Sequence, residues 1–172
     1  MRGHDKLVEE FTEFFAGRFD TARRTAYALC GDWSEAEEIA QAAFVRIYAR
    51  WAKIRRDDAP GYLRVTLTRV FLDSRRRGRQ LEKPVAEPPD RPGVEKRGHD
   101  ERQELISALQ RVPPRQRATL VLRFVQDLSI EQTAQVLKCS KGTVKSQTAR
   151  GLDALRRAYE SVGRPQEAGI QQ

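Results

Sequence analysis

The sequence has few cysteines and no long apolar run. Its only cysteines, Cys30 and Cys139, share no short spacing with each other or with His4 and His99, so we expect no metal site and no cofactor. No segment approaches the ~18 consecutive apolar residues of a membrane span, and the first ten residues have no apolar signal core. We therefore expect a cytoplasmic chain without membrane insertion, whose cysteines are reduced core residues.

Strand patterns and enzyme motifs are also lacking. Sustained alternation of β-branched and polar residues does not occur, whereas helical spacing recurs through most of the chain, which predicts an all-α fold. No paired acid, activated nucleophile or phosphate-cradling loop is recognisable. These absences argue against an enzyme and against a small-molecule substrate.

What the sequence has is positive charge in two blocks. The formal net charge is +8, and it divides as −2 in residues 1–50, +6 in 51–83, −2 in 84–104 and +6 in 105–172. An evenly solvated surface would not alternate in this way. Because lysine and arginine that neutralise phosphates release condensed counterions, the pattern favours two separate contacts with a nucleic acid.

The helical pattern divides the chain into two small domains. It predicts helices over residues 7–30, 35–53, 60–77, 100–111 and 114–124, followed by a terminal helix pair. Ser34 with Glu37 resembles a capping box at the start of the second helix. Four of the eight prolines fall between residues 78 and 99, which is typical of a linker. The predicted organisation is a domain over 1–80, a flexible linker over 81–101, a domain over 102–161 and a disordered tail over 162–172.

Residues 128–155 have the pattern of a helix-turn-helix. Ser129 can cap the first helix, Ala134 is small enough for two helices to cross, and Lys138 occupies a turn position that is often glycine. If Val144 points inward, then Leu152 does too, and small, hydroxyl and basic side chains point outward. Such a face can enter a major groove. An ordinary helical hairpin with a solvated basic face is the alternative.

The second basic block follows the loop at residues 54–61. Its helix carries Tyr62, Arg64, Thr66, Arg69 and a run of arginines, which would suit a nucleic-acid backbone and, at the tyrosine, an unstacked base. A run of charge is more often only a solvated face, so this block alone leaves both readings open.

Taken together, the two blocks and the linker resemble the extracytoplasmic-function sigma factors of bacterial RNA polymerase. The first half is similar to their region 2 through WSEAEEIAQAAFVRIYARW from Trp33, PGYLR from Pro60 and DSRR from Asp73. The second half is similar to their region 4 through LQRVPPRQR from Leu109, DLSIEQTA from Asp127, and GTVKS with RGL further on. The arginine-rich composition leans toward the short actinobacterial branch of that family.

The resemblance implies a function and three sets of site residues. It implies an alternative sigma factor that binds core RNA polymerase and promoter DNA, and that is held by an anti-sigma factor. The polymerase contacts would be Glu38, Gln41, Ala42, Val45 and Arg46. The minus-ten contacts would be Ile54, Arg55, Arg56, Tyr62, Arg64, Thr66, Arg69 and Arg76. The minus-thirty-five contacts would be Ser140, Lys141, Gly142, Thr143, Lys145, Ser146, Ala149 and Arg150.

Two other classes of protein remain as alternatives. A stand-alone helix-turn-helix regulator would normally carry a receiver of alternating strands and helices, and no such alternation precedes the motif. An adaptor that binds polymerase or a sigma factor without reading promoters would not need the basic final helix.

Overall fold

The computed structural model describes residues 2–81 and 101–162, and all regular secondary structure in these two ranges is helical. The predicted all-α class is confirmed. The helices are α1 (Arg2–Cys30), α2 (Trp33–Tyr48), α3 (Ala59–Leu81), α4 (Glu101–Gln110), α5 (Pro114–Leu120), α6 (Ile130–Leu137) and α7 (Lys141–Val162). Short 3-10 turns at Trp51–Lys53 and Arg56–Asp58 join α2 to α3.

An aromatic cluster fastens α1 to α2 and to the turn that follows it. The ring centroids of Phe11 and Phe14 in α1 lie 6.3 and 5.8 Å, respectively, from the centroid of Phe44. The same two rings lie 5.2 and 5.0 Å from Trp51. Phe44 and Trp51 are almost fully buried. Tilted and edge-on rings at such distances add attraction to the burial of apolar area. This packing holds α2 across α1 and fixes where the loop before α3 begins.

The start of α2 differs from the prediction. The helix begins at Trp33, and the N-cap is Asp32, whose carboxylate accepts the backbone N–H of Glu35 at 2.9 Å. The expected capping box of Ser34 with Glu37 is therefore wrong by two residues. Aspartate and serine are comparable N-cap residues, so the local sequence offers two registers, and packing of the buried face selects one.

The second half has a smaller core of its own between α4, α5 and α7. Leu109, Val112 and Leu120 are its buried residues, and Leu155 of α7 packs against them. After α5 the backbone widens into a π-helical turn at Val121–Val125. Two residues later, Asp127 adopts the left-handed conformation, with φ 52°. A widened turn of this kind re-aims the chain, and here it directs the chain into α6.

The helix-turn-helix forms as predicted, apart from one residue. Ser129 accepts the N–H of Gln132, and the Gln132 side chain accepts the N–H of Ser129, which makes a complete capping box. Lys138 ends α6 at φ 51°, ψ 52°, the left-handed conformation expected of a glycine position. Val144 is fully buried, but Leu152 is 40 % exposed, so its predicted inward orientation is wrong.

The two halves pack against each other. One continuous core contains residues of α1, α2 and α3 together with Ala118, Val121, Leu122, Val136 and Leu137 of the second half. The sequence predicts the linker over 81–101 and the tail over 162–172. The helices include the boundary residues Leu81, Glu101 and Val162, and residues 82–100 and 163–172 lie outside the described residues. Since the described halves share buried apolar residues, docking between them contributes to the stability of the whole chain.

Candidate nucleic-acid interface

The first candidate surface is built at the N-terminal end of α7. Ser140 precedes the helix, and its hydroxyl accepts the N–H of Thr143 at 3.1 Å and lies 2.9 Å from the Thr143 hydroxyl. Lys141 lies 3.7 Å from the carboxylate of Glu131 on α6. The pKa of Glu131 is lowered, first by a backbone N–H at the start of its own helix and then by Lys141. These contacts fix the angle at which α7 leaves the turn.

The predicted minus-thirty-five residues lie on the outward side of the turn before α7 and of its first three turns. Seven of the eight predicted residues are exposed, and Thr143 is half-buried because its backbone and hydroxyl are engaged by the cap. Gly142 and Ala149 are small, so the helix could approach a groove floor closely between Lys145 and Arg150. The opposite face is anchored by Val144 and Gly151 in the second half.

The second candidate surface is a cleft between the end of α2 and the start of α3. Tyr62, Thr66 and Arg69 lie at positions i, i+4 and i+7 of α3, and therefore on one helix face. They line a cleft of about 620 Å³ together with Arg46, Ala49, Arg50, Gly61 and Val65. Tyr62 is 40 % exposed. The cleft thus combines an open aromatic ring, a hydroxyl and three arginines, which are groups that bind a base and its phosphates.

Two predicted minus-ten residues take part in holding the loop before α3. Ile54 is buried in the core. Arg56 donates to the carbonyl oxygens of Trp51 and Ile54 at 2.9 and 2.8 Å, pairs with Glu10 at 2.6 Å, and lies 4.2 Å from the centre of the Trp51 ring. Arg56 therefore braces the loop before α3. Of the predicted loop residues, only Arg55 is left exposed and without such contacts in the described part of the chain.

Two further predicted minus-ten residues lie away from the cleft. Arg64 points to the second half, where its Nε lies 3.4 Å from the side-chain oxygen of Gln126. Arg76 pairs with Asp73 at 2.7 Å. It lines a second cleft of about 630 Å³, which lies between α3 on one side and the start of α5 and end of α6 on the other, and which Arg69, Arg79 and Lys138 also line. Of the predicted minus-ten set, the structure therefore brings only Tyr62, Thr66 and Arg69 together in the first cleft.

The predicted polymerase contacts form one stripe along α2. Glu38, Gln41, Val45 and Arg46 are exposed, and Ala42 is half-buried at the base of the stripe. Val45, near the C-terminal end of the stripe, is 68 % exposed, which is unusual for an apolar side chain among polar neighbours. Arg46 lies 3.6 Å from Asp73 and also lines the cleft beside Tyr62. The stripe and the cleft are therefore neighbours on the surface.

Four residues that line that cleft were not among the predicted site residues. Arg50 lies in the turn just after α2, four positions beyond Arg46, and its charge next to Arg46 is a signal that could have found it. Ala49, Gly61 and Val65 line the cleft with no chemical signal of their own, since only their places at the end of α2 and on α3 bring them there. None of the described helices is long and apolar enough to cross a membrane.

Comparison with known proteins identifies the family. The model of sigma-70 region 2 matches residues 19–80, and the model of sigma-70 region 4 matches residues 102–155. Together these matches cover more than half of the chain. The chain belongs to the sigma-70 family of RNA polymerase sigma factors. Region 2 contains the α2 stripe and the Tyr62 cleft, and region 4 contains the helix-turn-helix.

Curated relatives refine this assignment. The RNA polymerase sigma-E factor of Streptomyces avermitilis is 38 % identical over 90 % of this chain and 87 % of its own length. The sigma-E factor of Streptomyces coelicolor is 37 % identical over 87 % and 85 %. An ECF sigma factor of Mycolicibacterium smegmatis, SigE, is 33 % identical over 90 % of this chain and 63 % of its own. This sigma factor therefore resembles the short actinobacterial ECF factors, as its sequence suggests.

Solved structures share the fold. The sigma factor RpoE of Bartonella quintana, solved in complex with the anti-sigma factor NepR, superimposes with a TM-score of 0.66 over 91 % of this chain and 99 % of its own, at 21 % identity. The PhyRSL–NepR complex of Sphingomonas sp. Fr1 gives a TM-score of 0.59 over 92 % and 94 %, at 18 % identity. The match spans both halves, so it shows the two-part helical fold.

Proposed function

We propose that this chain is an alternative sigma factor that docks on core RNA polymerase in the cytoplasm and directs initiation at promoters with particular minus-ten and minus-thirty-five elements. The observation that carries the proposal is that one chain of this family presents two separate surfaces suited to DNA. One is the exposed face of α7, and the other is the cleft beside Tyr62.

The α7 face would read the minus-thirty-five element as duplex. Lys145 and Arg150 are exposed long cations on either side of small residues, so they could contact base edges or phosphates from within the major groove. The N-terminal end of α7 carries free backbone N–H groups and the positive end of the helix dipole, which favours a phosphate there. Each good bidentate contact with a base would contribute about 1–3 kcal/mol of discrimination.

The Tyr62 cleft would hold the minus-ten element after strand opening. An unstacked base could stack on the Tyr62 ring while Arg50 and Arg69 neutralise its flanking phosphates. Stacking of one base on an aromatic side chain is worth about 1–3 kcal/mol. This gain is comparable to the cost of unstacking a base, so the cleft would favour melted DNA of a preferred sequence.

The stripe on α2 would dock on polymerase. Its exposed Val45 supplies apolar area, and Glu38, Gln41 and Arg46 supply a polar rim around it, which is the composition of a protein interface. The stripe lies beside the cleft, so docking would place the cleft next to the DNA that polymerase holds.

An anti-sigma factor is the further partner that we propose. The sigma factor RpoE, which shares this fold, is in complex with the anti-sigma factor NepR. The exposed α2 stripe and the exposed α7 face would be the surfaces that such a partner has to cover to silence this chain. A pull-down with the full chain tests for such a partner.

Binding measurements with core polymerase test the proposal. Val45→Glu should weaken polymerase binding at least tenfold, since it places a carboxylate in the apolar part of the stripe, and should leave binding of free duplex unchanged. Arg150→Ala should weaken binding of the holoenzyme to duplex upstream DNA and spare polymerase binding. Arg24→Ala is the matched control, because Arg24 is an exposed α1 arginine whose ion pair, among the described residues, is with Asp20 of its own helix.

The same measurements separate the proposal from its alternatives. A stand-alone regulator would select its DNA site equally well without polymerase, and an adaptor would bind polymerase but select no site. If Arg150→Ala and Arg24→Ala behave alike, or if Val45→Glu binds polymerase normally, the assignment of these surfaces is wrong.

A further inference from the structure

A basic cleft, separate from the cleft beside Tyr62, lies between helices of region 2 and region 4. Its volume is about 630 Å³, with α3 from Arg69 onward on one side and the start of α5 and end of α6 on the other. Both sides contribute cations, which are Arg69, Arg75, Arg76, Arg79, Arg115 and Lys138. Asp73 is the one carboxylate among the described residues that line it. The volume falls within the range of about 300–1,000 Å³ that is usual for small-molecule sites.

Two of the six cations in the basic cleft are balanced by carboxylates. Arg75 donates to both carboxylate oxygens of Glu35, at 2.8 and 3.2 Å, and is therefore fixed against α2. Arg76 pairs with Asp73 at 2.7 Å. Asp73 also lies 3.6 Å from Arg46, which lines the Tyr62 cleft instead. The single carboxylate of the basic cleft is thus shared by two arginines and does not neutralise the other cations.

The four remaining cations have no carboxylate partner in the ranges that the structure describes. They are Arg69, Arg79, Arg115 and Lys138, and all four side chains are exposed. Arg115 donates to the carbonyl oxygen of Leu137 at 2.9 Å, at the C-terminal end of α6. The negative end of a helix repels an anion, so this hydrogen bond lessens an unfavourable field in the cleft. A guanidinium has five N–H donors, and Arg115 therefore keeps others for a ligand.

Lys138 is a cation at a backbone position that favours glycine. Its φ of 51° and ψ of 52° lie in the left-handed region, where a side chain is disfavoured. Backbone strain of this kind is found most often at ligand and active sites. Glycine at this position would relieve the strain but would remove a cation from the region-4 wall of the basic cleft. The lysine is thus explained by its charge and not by the stability of the turn.

We infer that the basic cleft is a binding site for an oligophosphate anion, either the triphosphate group of a nucleotide or a short inorganic polyphosphate. Arginine binds phosphate oxygens through two parallel N–H donors, and lysine binds them as a point charge. Four unbalanced cations facing one cleft match the charge of a triphosphate group. The apolar part of the lining, which is Leu72, Pro114, Val136 and Leu137, gives a nucleobase a surface to contact. The site goes beyond the proposed function and does not depend on it.

A small anion fits the basic cleft better than DNA does. Duplex DNA presents its phosphates on a convex outer surface, which suits the open face of α7, whereas the basic cleft is walled on two sides by helices. Arg69 lines both the basic cleft and the Tyr62 cleft, so its substitution would affect both. Arg79 and Lys138 line only the basic cleft of these two. Substitutions of Arg79 and Lys138 therefore test this site separately from the minus-ten surface.

Isothermal titration calorimetry of the full chain in magnesium-free buffer tests the site, with inorganic tripolyphosphate and ATP as the probes. We expect both probes to bind, with an affinity that falls as salt is added, and adenosine not to bind. Lys138→Gly and Arg79→Ala should each weaken both probes at least about fivefold, and together about 25-fold, since each removes one charged partner of the phosphates. ATP that binds more tightly than tripolyphosphate assigns the site to a nucleotide, and equal affinities assign it to inorganic polyphosphate.

The control variants separate this site from general attraction to a basic surface. Arg50→Ala removes an arginine from the Tyr62 cleft, and Arg24→Ala removes an exposed arginine of α1. Both should bind the probes like the parent chain. Lys138→Arg should retain affinity because it keeps the charge. Lys138→Gly relieves the left-handed backbone, so its loss of affinity would not come from loss of the fold.

Three outcomes would overturn the site. The first is a parent chain that binds neither probe, and the second is equal loss of affinity in the cleft variants and in the controls. The third is a single-stranded oligodeoxynucleotide that binds more tightly than both probes and loses affinity in the same cleft variants, because the basic cleft would then be part of the DNA surface. Calorimetry with these probes involves neither promoter nor polymerase. A chain that binds oligophosphate in the cleft but does not support initiation would refute only the proposed function.

Discussion

Replacing Lys138 by glycine should stabilise the protein. Lys138 ends α6 in the left-handed region, where a side chain costs roughly 1–2 kcal/mol relative to the right-handed conformation. Glycine avoids that strain but has more freedom in the unfolded chain, a difference of roughly 0.5–1 kcal/mol. Lys138 also shares a cleft with Arg69, Arg76 and Arg79, so its removal lessens repulsion between like charges. We expect a net gain of about 1 kcal/mol in the free energy of unfolding, or about 2–4 °C in Tm.

Lys138→Ala separates the backbone effect from the charge effect. Both variants lose the same charge, but only glycine relieves the left-handed backbone, so the glycine variant should exceed the alanine variant by about 1 kcal/mol. In an ordinary helical position the order is reversed, because alanine is better than glycine by about 1 kcal/mol. Urea denaturation of the full chain, followed by circular dichroism, measures the difference. An alanine variant that is as stable as the glycine variant would refute the left-handed conformation at this turn.

Three further predictions concern single residues. Arg117→Ala should lower the free energy of unfolding by about 2–5 kcal/mol in urea denaturation, since it leaves buried carbonyl oxygens without donors. The control Arg24→Ala, at an exposed site, should change the free energy of unfolding by less than about 0.5 kcal/mol. Ser129→Ala should cost about 1 kcal/mol in the same assay through loss of the N-cap, whereas Ser129→Asp should retain most of the stability. Tyr62→Ala should weaken holoenzyme binding to single-stranded minus-ten DNA by about 5- to 150-fold, because it removes ~1–3 kcal/mol of stacking. Tyr62→Phe keeps the ring and should bind like the parent chain. Equal loss of binding in both variants would contradict stacking.

Local signals predict the helix-turn-helix well, because its determinants are close together in sequence. Ser129 and Gln132 cap the helix that they begin, and the spacing of Ala134, Val136 and Val144 identifies the buried face. The unusual backbone at Lys138 is likewise predictable from its place in the turn. Such features depend on contacts within a few residues, which a sequence displays directly.

Features that depend on tertiary packing are not predicted. Leu152 has the spacing of a core residue, yet it stays 40 % exposed in an open groove between α4 and α7 that Leu105 and Tyr159 also line. Arg56 lies in a basic run typical of DNA contacts, but Glu10, 46 positions earlier, is what holds it. No local pattern distinguishes an arginine that braces a loop from one that binds phosphate.

The docking of the two halves is the largest feature beyond the reach of sequence patterns. Arg117 belongs to a motif shared with region 4, and its spacing gives no sign that one of its donors would cap a helix 88 positions earlier. Gly31 is recognisable as a helix terminator, but the close approach of Gln110 is visible only in three dimensions. Contacts of this kind depend on the relative placement of two units that a linker separates in the sequence.

Transcription of genomic DNA by core RNA polymerase, with and without this protein, tests whether the chain acts as a sigma factor. We expect new RNA 5′ ends that appear only when the protein is added, with a shared sequence near −10 and another near −35. In this assay Arg150→Ala should weaken dependence on the upstream sequence, and Arg24→Ala should match the parent chain. If the same 5′ ends appear without the protein, or the new ends share no upstream sequence, the chain does not act as a sigma factor.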